Sequence, residues 1–221
     1  MIRRRVVVLD ALSYTLKNME KKETSMRSRD IERIWLLCLL VVSIGTMAHA
    51  FEFENSSENL KKLFETIMQK NKKGDYERAA VLTKSLMPDR RRVALAFRRN
   101  VSEEIMSKLD RYYVKVLPSG LLSDRGWAKM LCKKPERSVV LVHSATTEEM
   151  IRQERGSIVW KEFPGGAVRM AKSILKPGMR FYEVERLEPG KDHGYKYHLI
   201  FWDGRRWCML GAIWRAFPVD F

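Results

Sequence analysis

The chain has 221 residues, with 42 Lys or Arg against 27 Asp or Glu, a formal net charge of +15, three Cys and four His. It lacks His-Glu-x-x-His, a Gly-rich phosphate loop, a Gly-x-Ser-x-Gly elbow and a Cys-x-x-Cys pair, so the commonest metalloprotease, nucleotide-binding, serine-hydrolase and redox patterns are excluded. Neither a cofactor nor a metal is expected from motifs of this kind.

Arg27, Arg29 and Arg33 precede an uncharged apolar run over residues 34–47, which ends in Ala48-His49-Ala50. A cationic head, a short greasy middle and a small-x-small exit make a secretory signal peptide over residues 26–50, with cleavage expected after Ala50. The alternative is an uncleaved anchor, but a spanning helix wants roughly 20 apolar residues and this run is shorter. Residues 1–25 read as lying upstream of a true start at Met26, or as an extended n-region. The expected setting is secreted or periplasmic, with no transmembrane span after cleavage.

What remains, residues 51–221, carries 33 basic and 22 acidic residues. The excess is spread over both halves, which fits a generally cationic surface facing anionic envelope polymers or lipids and argues against a specific nucleic-acid groove. Cys132 and Cys208 survive processing. They either form one disulfide, worth a few kcal/mol through restriction of the unfolded chain, or stay as two buried thiols.

Residues 51–116 read as helices. Leu60, Leu63, Phe64, Ile67 and Met68 form one apolar stripe behind a cap from Asn55, Ser56 or Ser57, and Lys72-Lys73-Gly74 closes it. Asp75 caps a second helix carrying Tyr76, Ala79, Ala80, Thr83 and Met87, ended by Pro88. A third is expected over 89–99, and a fourth follows Ser102 with Ile105, Met106, Leu109, Tyr112 and Tyr113. In the third, Arg90, Arg91, Arg92, Arg98 and Arg99 fall opposite Val93 and Phe97, giving a solvated face or, through Arg90, Arg91 and Arg98, a binding face for phosphate groups.

Residues 117–137 are a connector, and residues 117–221 as a whole form the sheet half of the domain. Strands are expected over 138–143, 158–163, 167–175 and 179–187, with a short helix over 147–154. Lys176-Pro177-Gly178 would turn between the third and fourth of these strands. Runs over 195–202 and 205–215 flank Asp203-Gly204, a strong hairpin signal. With Asp203 and Gly204 as a two-residue loop, Leu199 faces Cys208 and Ile200 faces Trp207. One side then holds Tyr195, Tyr197, Leu199, Phe201, Cys208 and Leu210; the other holds His198, Ile200, Trp202, Trp207, Met209 and Ile213. Both sides are too apolar for water, so the ribbon must be covered on each by helices, a small apolar ligand or a second copy of the chain. Trp202, Trp207, Met209 and Ile213 are the candidate binding face.

Helices first, a Gly74-Asp75 break, then a meander ending in Asp203-Gly204-Arg205-Arg206-Trp207 and Gly211-Ala212-Ile213-Trp214 resembles the nuclear-transport-factor-2-like superfamily of cone-shaped α+β domains over roughly residues 57–216. The resemblance implies an apolar pocket between helices and sheet and dimerisation through the sheet. It carries over no catalytic residue, since no Asp-His pair matches the dyad of the superfamily's isomerases and dehydratases.

Glu183 and Glu185 alternate along one strand and share a face. With Tyr182 or His198 nearby they would make the catalytic set of a small hydrolase or isomerase pocket; otherwise they are exposed carboxylates meeting Arg169 or Lys172. A Cys208–His198 nucleophilic pair is set aside because the hairpin register puts them on opposite faces, and Cys132 with His143 reads better as a structural thiol and a packed histidine. The expected architecture is α+β, with N-terminal helices packed on a curved antiparallel C-terminal β-sheet. The expected role is an exported binding module, with the pocket enzyme and the cationic envelope protein as alternatives.

Overall fold

A short polar cap and a four-residue apolar stripe define the first described helix. Ser56 Oγ accepts from the Asn59 N–H at 3.2 Å, and behind it Leu60, Leu63, Phe64 and Ile67 bury one side of α1 (Ser57–Lys72). Gly74, at φ +75°, turns the chain out of that helix at no steric cost and into α2 (Tyr76–Ser85). The structure, a computed structural model, describes residues 55–116 and 123–217. The signal-peptide and start-site readings of residues 1–50 lie outside them.

The third helix, α3 (Arg90–Leu95), is shorter than the expected 89–99. Beyond it Phe97 forms a β-bridge with Leu175, and the Arg98 N–H donates to the Ile174 carbonyl at 2.9 Å, so the backbone is pulled out of helical geometry by a distant segment. Next comes α4 (Glu103–Val116). An additional helix, α5 (Asp124–Met130), then interrupts the stretch expected as connector; Ser123 Oγ caps it by accepting from the Gly126 N–H at 3.1 Å.

The sheet half begins with β1 (Val139–Thr146), where Thr146 both ends the strand and opens α6 (Thr147–Arg152) through a capping box with Glu149. The two strands expected over 158–163 and 167–175 are helices instead: α7 (Ile158–Glu162), capped by Ser157, and α8 (Gly165–Ser173), which follows Pro164. In α8, Ala167, Val168, Met170 and Ala171 are buried while Arg169 and Lys172 face solvent, a helical spacing that overrides β-branched content. The remaining strands are β2 (Arg180–Leu187), β3 (Tyr195–Trp202) and β4 (Trp207–Met209). They join β1 in a four-stranded antiparallel sheet of order β1-β2-β3-β4. After β4, Gly211 at φ +74° ends the extended run, and residues Ile213–Ala216 form a 3-10 helix where strand was expected to 215.

The last hairpin has a four-residue loop. Trp202 pairs with Trp207, Phe201 with Cys208 and Ile200 with Met209, two positions away from the expected register. Asp203 causes this: its Oδ1 accepts from the Arg205 and Arg206 N–H groups at 2.9 and 2.8 Å, building the turn around its own side chain. A shift of two keeps each side chain on its expected face. A second irregularity does not. Between Tyr182 and Val184 the β2–β3 register slips by one, so His198 and Leu199 together oppose Glu183, and Leu199 takes φ +50°. The bulge moves Tyr197 to the Ile200 side and brings His198 to the side of Glu183, which is also the side of Cys208, so the expected placement of His198 and Cys208 on opposite faces does not hold.

Both faces of the sheet are covered within one chain. On one, Val140, Tyr182, Val184, Ile200 and Trp207 pack with Leu60, Phe64 and Ile67 of α1 and with Leu86 and Leu131. On the other, Phe181, Leu199, Phe201 and Cys208 pack with residues of α3, α4, α6 and α8 and with Ile213 of the 3-10 helix. Two buried arginines tie loops to this sandwich. Arg92 pairs with Asp203 at 2.6 Å and donates to the carbonyls of Ser85, Met87 and Trp207. Arg186 donates to the carbonyls of Leu131, Lys134 and Arg137. Among the described residues, no helix is long and apolar enough to cross a membrane.

Candidate functional site

One face of the sheet carries ionisable groups where its neighbours are apolar. Glu183, on β2, is fully buried. Its Oε2 lies 2.5 Å from His198 Nδ1, and its Oε1 accepts from the Leu199 N–H at 3.1 Å. Both partners come from the bulge, which is therefore what aims the imidazole at the carboxylate. Burial pushes the Glu183 carboxyl above its ordinary range, and the hydrogen bonds from His198 and Leu199 pull it only part of the way back. The His198 side chain stays about one-fifth exposed and meets the Trp214 ring edge-on at 5.1 Å. Trp214 in turn lies against Gly166 of α8, where an added Cβ would fall 2.3 Å from the indole.

The same face continues through His143, the β1 register partner of Glu183, and through Glu185 and Lys196, which pair between β2 and β3. Glu162, at the end of α7, joins them. Lys196 Nζ lies 2.8 Å from Glu162 Oε2 and 3.6 Å from Glu185 Oε2, and His143 Nε2 lies 3.6 Å from Glu162 Oε2. Burial opposes the charge on both Glu162 and Lys196. Their mutual hydrogen bond and the surrounding charges outweigh it, holding the Glu162 carboxyl below and the Lys196 ammonium above their usual ranges. Glu185 Oε1 accepts from the Gly194 N–H at 2.6 Å. Leu141, opposite Glu185 in the register, is two-fifths exposed and gives this polar floor an apolar margin.

Of the expected catalytic set, Glu183, Glu185 and His198 are brought together, and Tyr182 is not. Its side chain points through the other face, where the hydroxyl donates to Asn55 Oδ1 at 2.9 Å and the ring packs edge-on against Trp207. The two glutamates are buried, and therefore not the exposed partners of Arg169 or Lys172, which lie on the outer side of α8. His143, Glu162, Lys196 and Trp214 belong to the neighbourhood although sequence reasoning assigned them no role there. The alternation of Lys196 and His198 along β3 was the available signal.

The expected binding face is mostly core. Trp207 and Ile213 are buried on opposite sides of the sheet, because the 3-10 helix carries Ile213 away from Trp207, while Trp202 and Met209 are partly buried against the α1 side. The arginine face is also largely committed. Arg90 bridges Asp110 and Glu103, Arg92 is buried rather than solvated, and Arg98 donates to the carbonyls of Leu175 and Lys172 at 3.2 Å, leaving Arg91 and Arg99 exposed. Cys132 and Cys208 are free thiols on opposite sides of the sheet, so of the two expected alternatives the structure has the unbonded one, with Cys208 buried and Cys132 partly buried. Burial pushes the Cys208 thiol up to about 12, which removes it as a nucleophile at neutral pH.

No protein-family model, no curated protein and no solved structure matches this chain.

Proposed function

We propose that this domain is a small acid–base enzyme of the hydrolase type, working outside the cytoplasm as residues 26–50 imply, with His198 as the proton-transfer group and Glu183 as the residue that positions it. The observation that carries this reading is the bond between a fully buried carboxylate and a partly exposed imidazole at a β-bulge. Bulges and left-handed non-glycine residues concentrate beside sites where a side chain must be re-aimed. Held at Nδ1, His198 presents Nε2 as the base that takes a proton from water, and Glu183 stabilises the imidazolium that results. Positioned proton transfer of this kind contributes roughly 10²–10⁴-fold to a rate. Dimerisation through the sheet forms no part of the proposal, since helices of the same chain cover both faces.

A second reading, a binding module for anionic envelope components, is favoured by a cleft of its own. Leu95, half exposed, lies with Ala94, Phe97 and Pro177 between Arg98, Arg99 and Lys176.

The enzyme reading is tested with p-nitrophenyl esters, p-nitrophenyl phosphate and p-nitrophenyl glycosides. The expected result is turnover of at least one class, falling at least 100-fold in both His198→Asn and Glu183→Gln while circular dichroism is unchanged. No turnover of any probe, or turnover indifferent to both substitutions, overturns it.

A further inference from the structure

We infer that His143, Glu162 and Glu185 form a binding site for a divalent transition-metal ion of the zinc type, and that Lys196 is the resident cation such an ion displaces. One nitrogen and two carboxylate oxygens, brought from β1, α7 and β2, lie within 4.8 Å of one another. Around a tetrahedral zinc, with metal–ligand bonds near 2.0–2.2 Å, donor atoms stand about 3.4 Å apart. The His143–Glu162 pair, at 3.6 Å, already has that spacing, and Glu185, within 4.8 Å of both, completes it by closing at most about 1.4 Å. The imidazole selects the ion: calcium and magnesium want oxygen donors only, whereas zinc and its first-row neighbours accept mixed nitrogen and oxygen sets.

Three further observations mark the cluster as built for a cation. His143 Nε2 is sealed from solvent and makes no hydrogen bond among the described residues, although its ring lies against a carboxylate. Glu185 is held in place from behind by the Gly194 N–H. An added Cβ at Gly194 would fall 2.0 Å from the Arg186 carbonyl oxygen, so the chain needs glycine at that point. Lys196 Nζ is lodged between the two carboxylates, a single positive charge where a divalent ion would sit, on a stem whose side chain is about one-quarter exposed. Three protein ligands leave a fourth position for water, the arrangement of catalytic rather than structural zinc. The site adjoins Glu183 and His198, yet it stands or falls on metal binding and not on whether that pair is catalytic.

The test is calorimetric titration of the purified protein with Zn²⁺, with Co²⁺ visible absorption as a readout of coordination. One ion per chain is expected, bound at least tenfold more weakly by His143→Ala and by Glu185→Gln. Lys196→Met should bind at least tenfold more tightly, because the competing ammonium is gone; a purely structural salt bridge would not produce a gain of that sign. Absence of binding in both the wild type and Lys196→Met, or binding unchanged by His143→Ala, overturns the inference.

Discussion

Arg92 shows how far a single side chain can depart from what its neighbours suggest. It sits in a run of three arginines at the start of a helix, yet its side chain is only 6% exposed and it holds Asp203, 111 positions along the chain, together with three backbone carbonyls. Removing one partner of a buried pair costs about 3–5 kcal/mol, and because Asp203 keeps the Arg205 and Arg206 N–H groups, the lower end of that range applies here. Arg92→Ala should therefore lower the stability measured by urea unfolding by that amount. Its acid limb should change as well. Burial works against the Asp203 carboxylate, but the Arg206 and Arg205 N–H groups and the Arg92 guanidinium outweigh it and hold the carboxyl below the usual 3.8. A depressed acid of this kind adds stability above its unfolded value and loses it as pH falls through its folded value. Without Arg92 that loss becomes shallower, which urea midpoints between pH 5 and pH 2 would register.

At the scale of elements, the bulge, α8 and the 3-10 helix act as one device. Gly166 lets Trp214 lie flat on α8, Trp214 bounds His198, and the bulge holds His198 on Glu183. Gly166→Ala places a methyl group inside the indole, so Trp214 must leave. We expect a stability loss of about 1–3 kcal/mol, as for overpacked cores, and a shift of the His198 ring resonances that Gly165→Ala, which meets only the end of Arg169 at 3.9 Å, does not produce. The readability of these elements follows from where their determinants lie. The stripe of α1, the β-branched run of β1 and the turn at Asp203-Gly204 are local, and each appears near where the sequence places it, although the turn closes a four-residue loop where two residues were expected and β1 runs on to Thr146. Helices of five to nine residues such as α7 and α8 have little intrinsic stability. They exist because Ser157 or Pro164 starts them and the sheet packs them, so their valines and isoleucines read as strand. The bulge is set by Glu183 reaching the Leu199 N–H from another strand, and no local pattern announces it. The site inherits this split: the shared face of Glu183 and Glu185 is legible from alternation, whereas Glu162 and the re-aimed His198 are products of tertiary structure.

For the whole molecule, the apolar character of both sides of the terminal ribbon correctly demands a sandwich, and the chain supplies both layers itself. Helix α1 and the segments near Leu86 and Leu131 serve one side; α3, α4, α6, α8 and the 3-10 helix serve the other. With Trp207 and Ile213 consumed internally, sheet-to-sheet pairing has no broad apolar face left to remove from water, only the scattered side chains of Val139, Leu141 and Tyr195. Size-exclusion chromatography with light scattering should return a single-chain mass across micromolar concentrations. A concentration-dependent dimer would point to a surface other than the sheet faces.

The separation of Cys132 from Cys208 by the thickness of the sheet carries a consequence for biogenesis. Each side chain belongs to a different core cluster and neither is bonded, so among the described residues the native fold needs no disulfide to form, and the domain should be equally stable under reducing and oxidising conditions.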